Sequence, residues 1–120
     1  MKLSDLNKTW IFDIDGTIVK HNGYKNGNDV LLEGVRETFN KIDKNDKIIL
    51  LTSREEKYIP KLKKFLKENN IRYNYIISNL PFGERILIND IKPSGLKCAY
   101  AINKKRDEKL NIDYEIEENI

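Results

Sequence analysis

Two aspartates close the first apolar run of the chain. The stretch TWIFDIDGTIV (9–19) places Asp13 and Asp15 two positions apart and follows them directly with Gly16 and Thr17. Two unit charges about 4 Å apart repel by roughly 4 kcal/mol at an effective dielectric constant of about 20, so this pair needs a positive partner. Mg²⁺ is the simplest partner, because it prefers carboxylate oxygens and also binds phosphate. Together with a third carboxylate, that of Asp90, such a site readily supports phosphate chemistry assisted by a cation.

Two further polar side chains follow later apolar runs. Thr52 ends the run IILLT, and Asp90 comes directly after RILIN. Near-continuous apolar runs are typical of parallel strands, and open parallel sheets bind ligands at the carboxyl ends of their strands. We therefore expect Asp13, Asp15, Thr52 and Asp90 to converge on one edge of a sheet, although each of them singly is also an ordinary turn or strand-end residue.

Apolar runs alternate with helical patterns along the chain, which predicts an α/β fold with a central, mostly parallel five-stranded sheet. The predicted strands cover residues 9–14, 47–52, 73–78, 85–89 and 98–102. Apolar stripes predict helices over 33–42 and 54–69. A capping box formed by Ser53 and Glu56 predicts that the second helix begins just after Thr52. The Gly- and Asn-rich stretch 19–29 predicts a short hairpin or flap over the end of the first strand.

The length of 120 residues suits a single domain over 1–120, with its core at about 8–103 and a charged tail at 104–120. In that tail, Ile112, Tyr114 and Ile116 alternate in a way that weakly indicates a strand, although a charged end of this kind is equally typical of a loosely held terminus. A hydrophobic content of 39% with 34% charged residues is typical of a soluble globular chain. The net charge of +3 gives no general reason to expect a nucleic-acid or membrane partner.

The single cysteine bears on the compartment. Cys98 lies in the apolar stretch CAYAI, which predicts a small buried residue, and a lone cysteine suits a reducing cytoplasm. The first residues lack the apolar segment of a signal peptide, and no apolar run is long enough to span a bilayer. We therefore expect a cytoplasmic protein.

Three motifs resemble a known family. WIFDIDGTIV resembles the first motif of the haloacid dehalogenase (HAD) superfamily, IILLTSR its second and ILIND its fourth. The resemblance covers about residues 8–103 and implies a three-layer, Rossmann-like (HAD-like) fold. The intervals between the motifs leave no room for a cap domain, so the chain is most similar to the small capless phosphatases of the superfamily.

The resemblance also implies a role for each matched residue. Asp13 would be the nucleophile that forms an aspartyl-phosphate, and Asp15 would be the general acid and base. The side chains of Asp13 and Asp90, with the backbone carbonyl of Asp15, would hold Mg²⁺. Thr52 would hydrogen-bond the transferred phosphoryl group. Because the dehalogenases of the superfamily do not use a second aspartate in this way, Asp15 favours hydrolysis of phosphate esters.

The third motif of the family is missing. It supplies a lysine near the nucleophile, and the corresponding stretch SNLPFGER (78–85) contains no lysine. Lys92 is the preferred replacement as a phosphate-binding cation, with Arg54 and Arg85 as weaker alternatives. Asn89 also stands where many members of the family carry a second acid.

The open site of a capless member leaves the substrate undecided. With no basic surplus for nucleic acid, we expect a small phosphorylated metabolite such as a sugar phosphate, with homo-oligomerisation closing the site. His21 and Tyr24 on the flap are the first candidate contacts, although His21 also suits a solvated loop. Two alternatives stay open, a macromolecular substrate such as a phosphoprotein or nucleic-acid end, and a catalytically idle phosphate-binding module. A phosphorylation-switch receiver domain is disfavoured, because it keeps its acidic pair and its acceptor aspartate on different strands.

Overall fold

A computed structural model describes residues 1–120. Its strands are β1 (Lys2–Leu3), β2 (Thr9–Asp13), β3 (Lys47–Leu51), β4 (Tyr75–Ile77) and β5 (Glu115–Ile116). Its helices are α1 (Val35–Asn40) and α2 (Ile59–Glu68), with 3₁₀ turns at Gly23–Asn26 and Glu56–Tyr58. The strands form a parallel sheet in the order β2-β3-β4 and a parallel pair β1-β5. The α/β class with parallel strands is therefore confirmed.

Both helices cover the same face of the three-stranded sheet. The crossovers β2-α1-β3 and β3-α2-β4 advance in the same direction across the sheet, and crossovers of one hand then place their helices on one side. On this face Phe12 pairs with Leu50, which is fully buried, and the ring of Phe12 lies 4.7 Å from that of Phe39 on α1. Alternate strand residues and the apolar stripes of the helices thus form one core.

The other face of the sheet is only partly covered. Ile11, Ile49 and Tyr75 are neighbours across the three strands on this face, and Ile11 and Tyr75 are 50% and 62% exposed. The predicted three-layer arrangement needs helices on this side, and the structure has none there. The fold therefore has one helical layer and one open sheet face.

The predicted strands 85–89 and 98–102 are not formed. The stretch 81–103 contains no helix or strand, and the apolar side chains of Ile86 and Ile88 are 80% and 86% exposed. A strand needs a partner edge as well as an apolar sequence, and the stretch 81–103 pairs with neither β2 nor β4. This stretch instead joins β4 to a tail that folds back over the chain, so the five-stranded sheet is not seen.

The tail is better ordered than its charge indicated. Leu110 is buried in the core, and its N–H donates to the carbonyl of Glu33 at 2.9 Å. The weak alternation in the tail does produce a strand, since Ile116 in β5 pairs with Leu3 in β1. The tail therefore belongs to the domain and ties its end to the N-terminal strand.

Two local predictions are wrong. The capping box does not form, because the hydroxyl of Ser53 donates to the carbonyl of Pro81 at 3.4 Å and Glu56 accepts a bond from Ser78. Helix α2 begins only at Ile59. Pro60 fits its first turn, because N–H groups at that position have no hydrogen-bond partner within the helix. Cys98 is exposed, because the strand that would have buried it is absent.

Neither helix is long and apolar enough to cross a membrane.

Candidate functional site

The loop after β2 is built on buried isoleucines that leave its polar residues at the surface. Ile14 and Ile18 are fully buried, and the N–H of Ile14 continues the β3 ladder by donating to the carbonyl of Leu51 at 3.0 Å. Gly16 turns the chain with a φ of +84°, a conformation that glycine adopts without strain. The hydroxyl of Thr17 then donates back to Asp13 Oδ2 at 3.2 Å. These contacts hold the two aspartates in one tight turn at the end of β2.

Asp15 is held by residues from the end of β3. Arg54 donates to Asp15 Oδ1 from Nε at 3.0 Å and from Nη2 at 2.8 Å, and Thr52 Oγ1 donates to Asp15 Oδ2 at 2.9 Å. The expected meeting of Asp15 and Thr52 at the carboxyl ends of neighbouring strands is confirmed. Arg54, which the sequence offered only as a weak substitute for the missing lysine, is the main partner of Asp15.

Asp29 is the second partner of Arg54, and the sequence analysis missed it. It lies in the flap and accepts hydrogen bonds from Arg54 Nη1 at 3.1 Å and Nη2 at 2.7 Å. The ring of Tyr24, also in the flap, lies 3.8 Å from Arg54 Cζ. The predicted flap is thus present, and Leu32 N–H donating to the carbonyl of Ile18 at 2.9 Å closes it as a hairpin. The only hint in the sequence was an acid directly before an apolar run.

The side chain of Arg54 is almost wholly buried, at 1% exposure. Burial alone lowers the pKa of Arg54, but hydrogen bonds to Asp29 and Asp15 outweigh it and raise the pKa above its ordinary value. Burial, followed by the nearby charge of Asp15, also raises the pKa of the Tyr24 hydroxyl. Arg54 is therefore a permanent charge that joins the loop, the end of β3 and the flap.

Thr52 serves this network in the structure. It is fully buried, and its hydroxyl donates to Asp15 and accepts the backbone N–H of Arg54 at 3.0 Å. The resemblance assigns Thr52 to the phosphoryl group, whereas its contacts here fix the carboxylate of Asp15.

Asp13 is the accessible acid of the pair. Its side chain is 38% exposed, and Arg85 Nη1 donates to its Oδ1 at 2.7 Å. Lys92, the preferred replacement for the third-motif lysine, is exposed and its side chain forms no hydrogen bond or ion pair. Of the three candidate cations, Arg85 is therefore the one that contacts Asp13.

Asp90 does not join the aspartate pair. It lies in the exposed stretch after the unformed strand, and no group of three acidic, histidine or cysteine side chains is close enough to hold a metal ion. Arg85 occupies one side of Asp13, and Arg54 and Thr52 occupy the carboxylate of Asp15. As these residues are arranged, the set Asp13, Asp15 and Asp90 does not fit Mg²⁺.

The basic start of the tail lies against the same loop, which the sequence did not predict. Lys104 Nζ and the N–H of Asp107 donate to the carbonyl of Gly16 at 3.1 and 2.9 Å. Asp107 Oδ1 accepts the N–H of His21 at 2.7 Å. The tail thus borders the candidate site together with the flap.

The site combines two carboxylates in different surroundings. Asp13 is partly exposed and paired with Arg85, whereas Asp15 is mostly buried and held by Arg54 and Thr52. A carboxylate has about four lone-pair positions, and three of those on Asp15 are used by Arg54 and Thr52. One lone-pair position on Oδ2 is left without a hydrogen bond. Scans against models of protein families, curated proteins and solved structures find no match.

Proposed function

We propose that the chain is a phosphatase that hydrolyses phosphate monoesters, with Asp13 as the nucleophile and Asp15 as the general acid and base. One observation carries the proposal: the two carboxylates of a single turn are held in different environments. Asp13 is 38% exposed beside Arg85, and Asp15 is 17% exposed and held by Arg54 and Thr52. Such a division suits different tasks, since the exposed carboxylate can reach a phosphorus atom and the oriented one keeps a lone pair free for proton transfer.

The reaction would proceed in two steps at these residues. Asp13 Oδ attacks phosphorus, the bond between phosphorus and the ester oxygen breaks, and the leaving oxygen takes a proton from Asp15. Asp15 then accepts a proton from water, which attacks the aspartyl-phosphate and releases inorganic phosphate and free Asp13. The remaining lone pair on Asp15 Oδ2 is the position that we assign to this proton.

When Arg85 contacts Asp13 as it does here, it is the cation that we assign to the phosphate. In an arrangement with a metal held by Asp90, the metal would take that place. The guanidinium of Arg85 already contacts Asp13 Oδ1, so it lies where an incoming phosphate oxygen would need a positive charge. Lys92 remains a proposed phosphate contact through the motif resemblance alone, since its side chain forms no hydrogen bond or ion pair and it lies seven residues beyond Arg85.

Mg²⁺ remains part of the proposal through the motif resemblance alone, since Asp90 lies apart from the pair. Pairing of residues 85–89 with the free outer edge of β2, parallel to it, would complete a larger sheet and bring Asp90 to the carboxyl end. A strand from Arg85 to Asp90 spans about 16 Å, so Arg85 and Asp90 cannot both contact Asp13 while this stretch is a strand. Arg85 and a metal held with Asp90 are thus alternative partners of Asp13.

The substrate class proposed is a small phosphorylated metabolite, such as a sugar phosphate, in a reducing cytoplasm. The open sheet face and the exposed stretch 81–103 suit a homo-oligomer that covers them and closes the site. A phosphoprotein or nucleic-acid end is the alternative if the protein is a monomer.

A second candidate function is a catalytically idle phosphate-binding module. The ion pair between Asp13 and Arg85 favours this alternative. A carboxylate whose charge is neutralised by arginine is a poor nucleophile when no set of metal-binding side chains lies beside it. In this alternative the site binds phosphate through Arg85 and turns over nothing.

A phosphatase assay separates the two. Purified chain is tested against a panel of sugar phosphates and a generic aryl phosphate, with Mg²⁺ and with chelator. We expect metal-dependent release of phosphate that Asp13→Asn abolishes and that Asp15→Asn lowers by about 10²- to 10⁴-fold. Lys63→Gln, on the exposed face of α2, is the control variant and should match the unmodified chain. No turnover of any substrate together with measurable phosphate binding would favour the idle module.

A further inference from the structure

The turn formed by residues 104–107 is docked on the loop that carries the two aspartates. Lys104 Nζ and the N–H of Asp107 both donate to the carbonyl of Gly16, and the aliphatic part of Arg106 packs on Gly16. A Cβ at Gly16 would lie only 3.2 Å from Arg106 Cγ. The contact is therefore close and places the basic run next to Asp15.

Two charged side chains of this turn have no partner within the protein. Lys105 and Arg106 are exposed, and neither side chain forms a hydrogen bond or an ion pair within 4.0 Å. The nearest acid in sequence, Asp107, is occupied by the N–H of His21. Lys104 has a structural task, because its ammonium binds the carbonyls of Gly16 and Lys105.

We propose that Lys105 and Arg106 bind a second anionic group of the substrate, a phosphate or carboxylate that accompanies the transferred phosphate. This inference rests on the proposed function for the position of the first phosphate. Two cations with no internal partner, held by backbone contacts beside the nucleophile loop, form a charge-assisted site for such a group. Arg85, which contacts Asp13 Oδ1, is the cation assigned to the first phosphate, so the two anions of the substrate meet different cations.

A binding measurement tests the proposal without turnover. Isothermal titration at fixed ionic strength and in the presence of chelator compares methylenebisphosphonate with inorganic phosphate. We expect the bisphosphonate to bind at least about tenfold more tightly, and the double variant Lys105→Gln with Arg106→Gln to lose most of that ratio. The control double variant Lys63→Gln with Lys67→Gln removes the same charge from α2 and should keep the ratio.

Substrate pairs then distinguish the two anions. Fructose 1,6-bisphosphate against fructose 6-phosphate tests a second phosphate, and 6-phosphogluconate against glucose 6-phosphate tests a carboxylate. A higher kcat/KM for the doubly anionic member of either pair, reduced in the tail variant, supports the proposal and names the group. Equal ratios in the tail variant and the unmodified chain, in binding or in kcat/KM, would overturn it. If no substrate is hydrolysed but the bisphosphonate still binds more tightly than phosphate and the tail variant loses this preference, the result counts against the phosphatase and not against the second anion site.

Discussion

Arg54 and Asp15 are joined by two hydrogen bonds to one carboxylate oxygen, from Nε at 3.0 Å and from Nη2 at 2.8 Å. Nη1 and Nη2 of the same guanidinium also donate to the carboxylate of Asp29. A buried ion pair contributes little net stability, because desolvation of the charges offsets their attraction. Its presence beside the candidate nucleophile therefore suits a positioning role, in which Arg54 fixes the direction of Asp15.

Removing Asp29 should destabilise the fold more than removing an exposed acid. Asp29→Ala leaves the buried charge of Arg54 with Asp15 alone, and breaking one partner of a buried pair costs about 3 kcal/mol. Urea denaturation followed by circular dichroism measures the free energy of unfolding. Glu33→Ala, which removes an exposed acid 4.0 Å from Lys109, is the control and should cost less than about 1 kcal/mol. Equal losses for the two variants would contradict a tight Asp29–Arg54 pair.

The meeting of Asp15 and Thr52 could be predicted because it depends on strand order alone. Both residues follow parallel neighbouring strands, so any correct pairing of β2 with β3 brings them to one edge. Asp29 could not be predicted in the same way, since its contact with Arg54 depends on how a Gly- and Asn-rich flap folds back. The contact of Arg85 with Asp13 likewise depends on the path of an irregular stretch.

The same distinction applies to the fold. β2, β3 and β4 lie within the predicted runs, and each has a neighbouring strand to pair with. The run 85–89 has an equally apolar sequence, but pairing is a long-range property that local pattern does not contain. The docking of Leu110 on α1 was equally hidden, because one apolar residue in a charged tail gives no periodic signal.

Gly34 and Gly95 offer a matched test of that tail contact. Both have positive φ, +85° and +94°, so alanine strains either backbone by about 1 kcal/mol. A Cβ at Gly34 would also collide with the carbonyl of Leu110, whereas nothing lies within 4 Å of Gly95. We expect Gly34→Ala to cost at least about 2 kcal/mol more than Gly95→Ala in urea denaturation. Similar costs would mean that the tail is not packed on α1.

Asp46 should make stability depend on acid pH. Burial alone raises the pKa of its carboxyl, but hydrogen bonds from Asn7, the Lys8 N–H and Trp10 outweigh it and lower the pKa below the ordinary 3.8. A lowered folded pKa gives stability that is present above about pH 4 and is lost as pH falls through the folded value.

The test of this dependence is Asp46→Asn, followed by urea denaturation between pH 7 and pH 3. The variant should lose about 1–2 kcal/mol at pH 7, because three donors lose their charged acceptor, and it should lose less than the unmodified chain on acidification. Asp5→Asn removes an exposed carboxylate and is the control, with an expected change within about 0.5 kcal/mol at either pH. An unchanged pH dependence in Asp46→Asn would show that other carboxylates govern acid unfolding.

Arg85 and Mg²⁺ should compete for Asp13. Because Arg85 is the cation that contacts Asp13 in the structure, Arg85→Gln should raise Mg²⁺ affinity about tenfold by leaving the carboxylate free. Asp90→Asn should lower the affinity if residues 85–89 pair with β2 on metal binding, and it should also lower Mg²⁺-dependent turnover. Isothermal titration of each variant measures the affinity, with Glu84→Gln as an exposed control next to Arg85. Loss of affinity in Arg85→Gln, or no effect of Asp90→Asn, would mean that the metal is not held by Asp13 and Asp90 together.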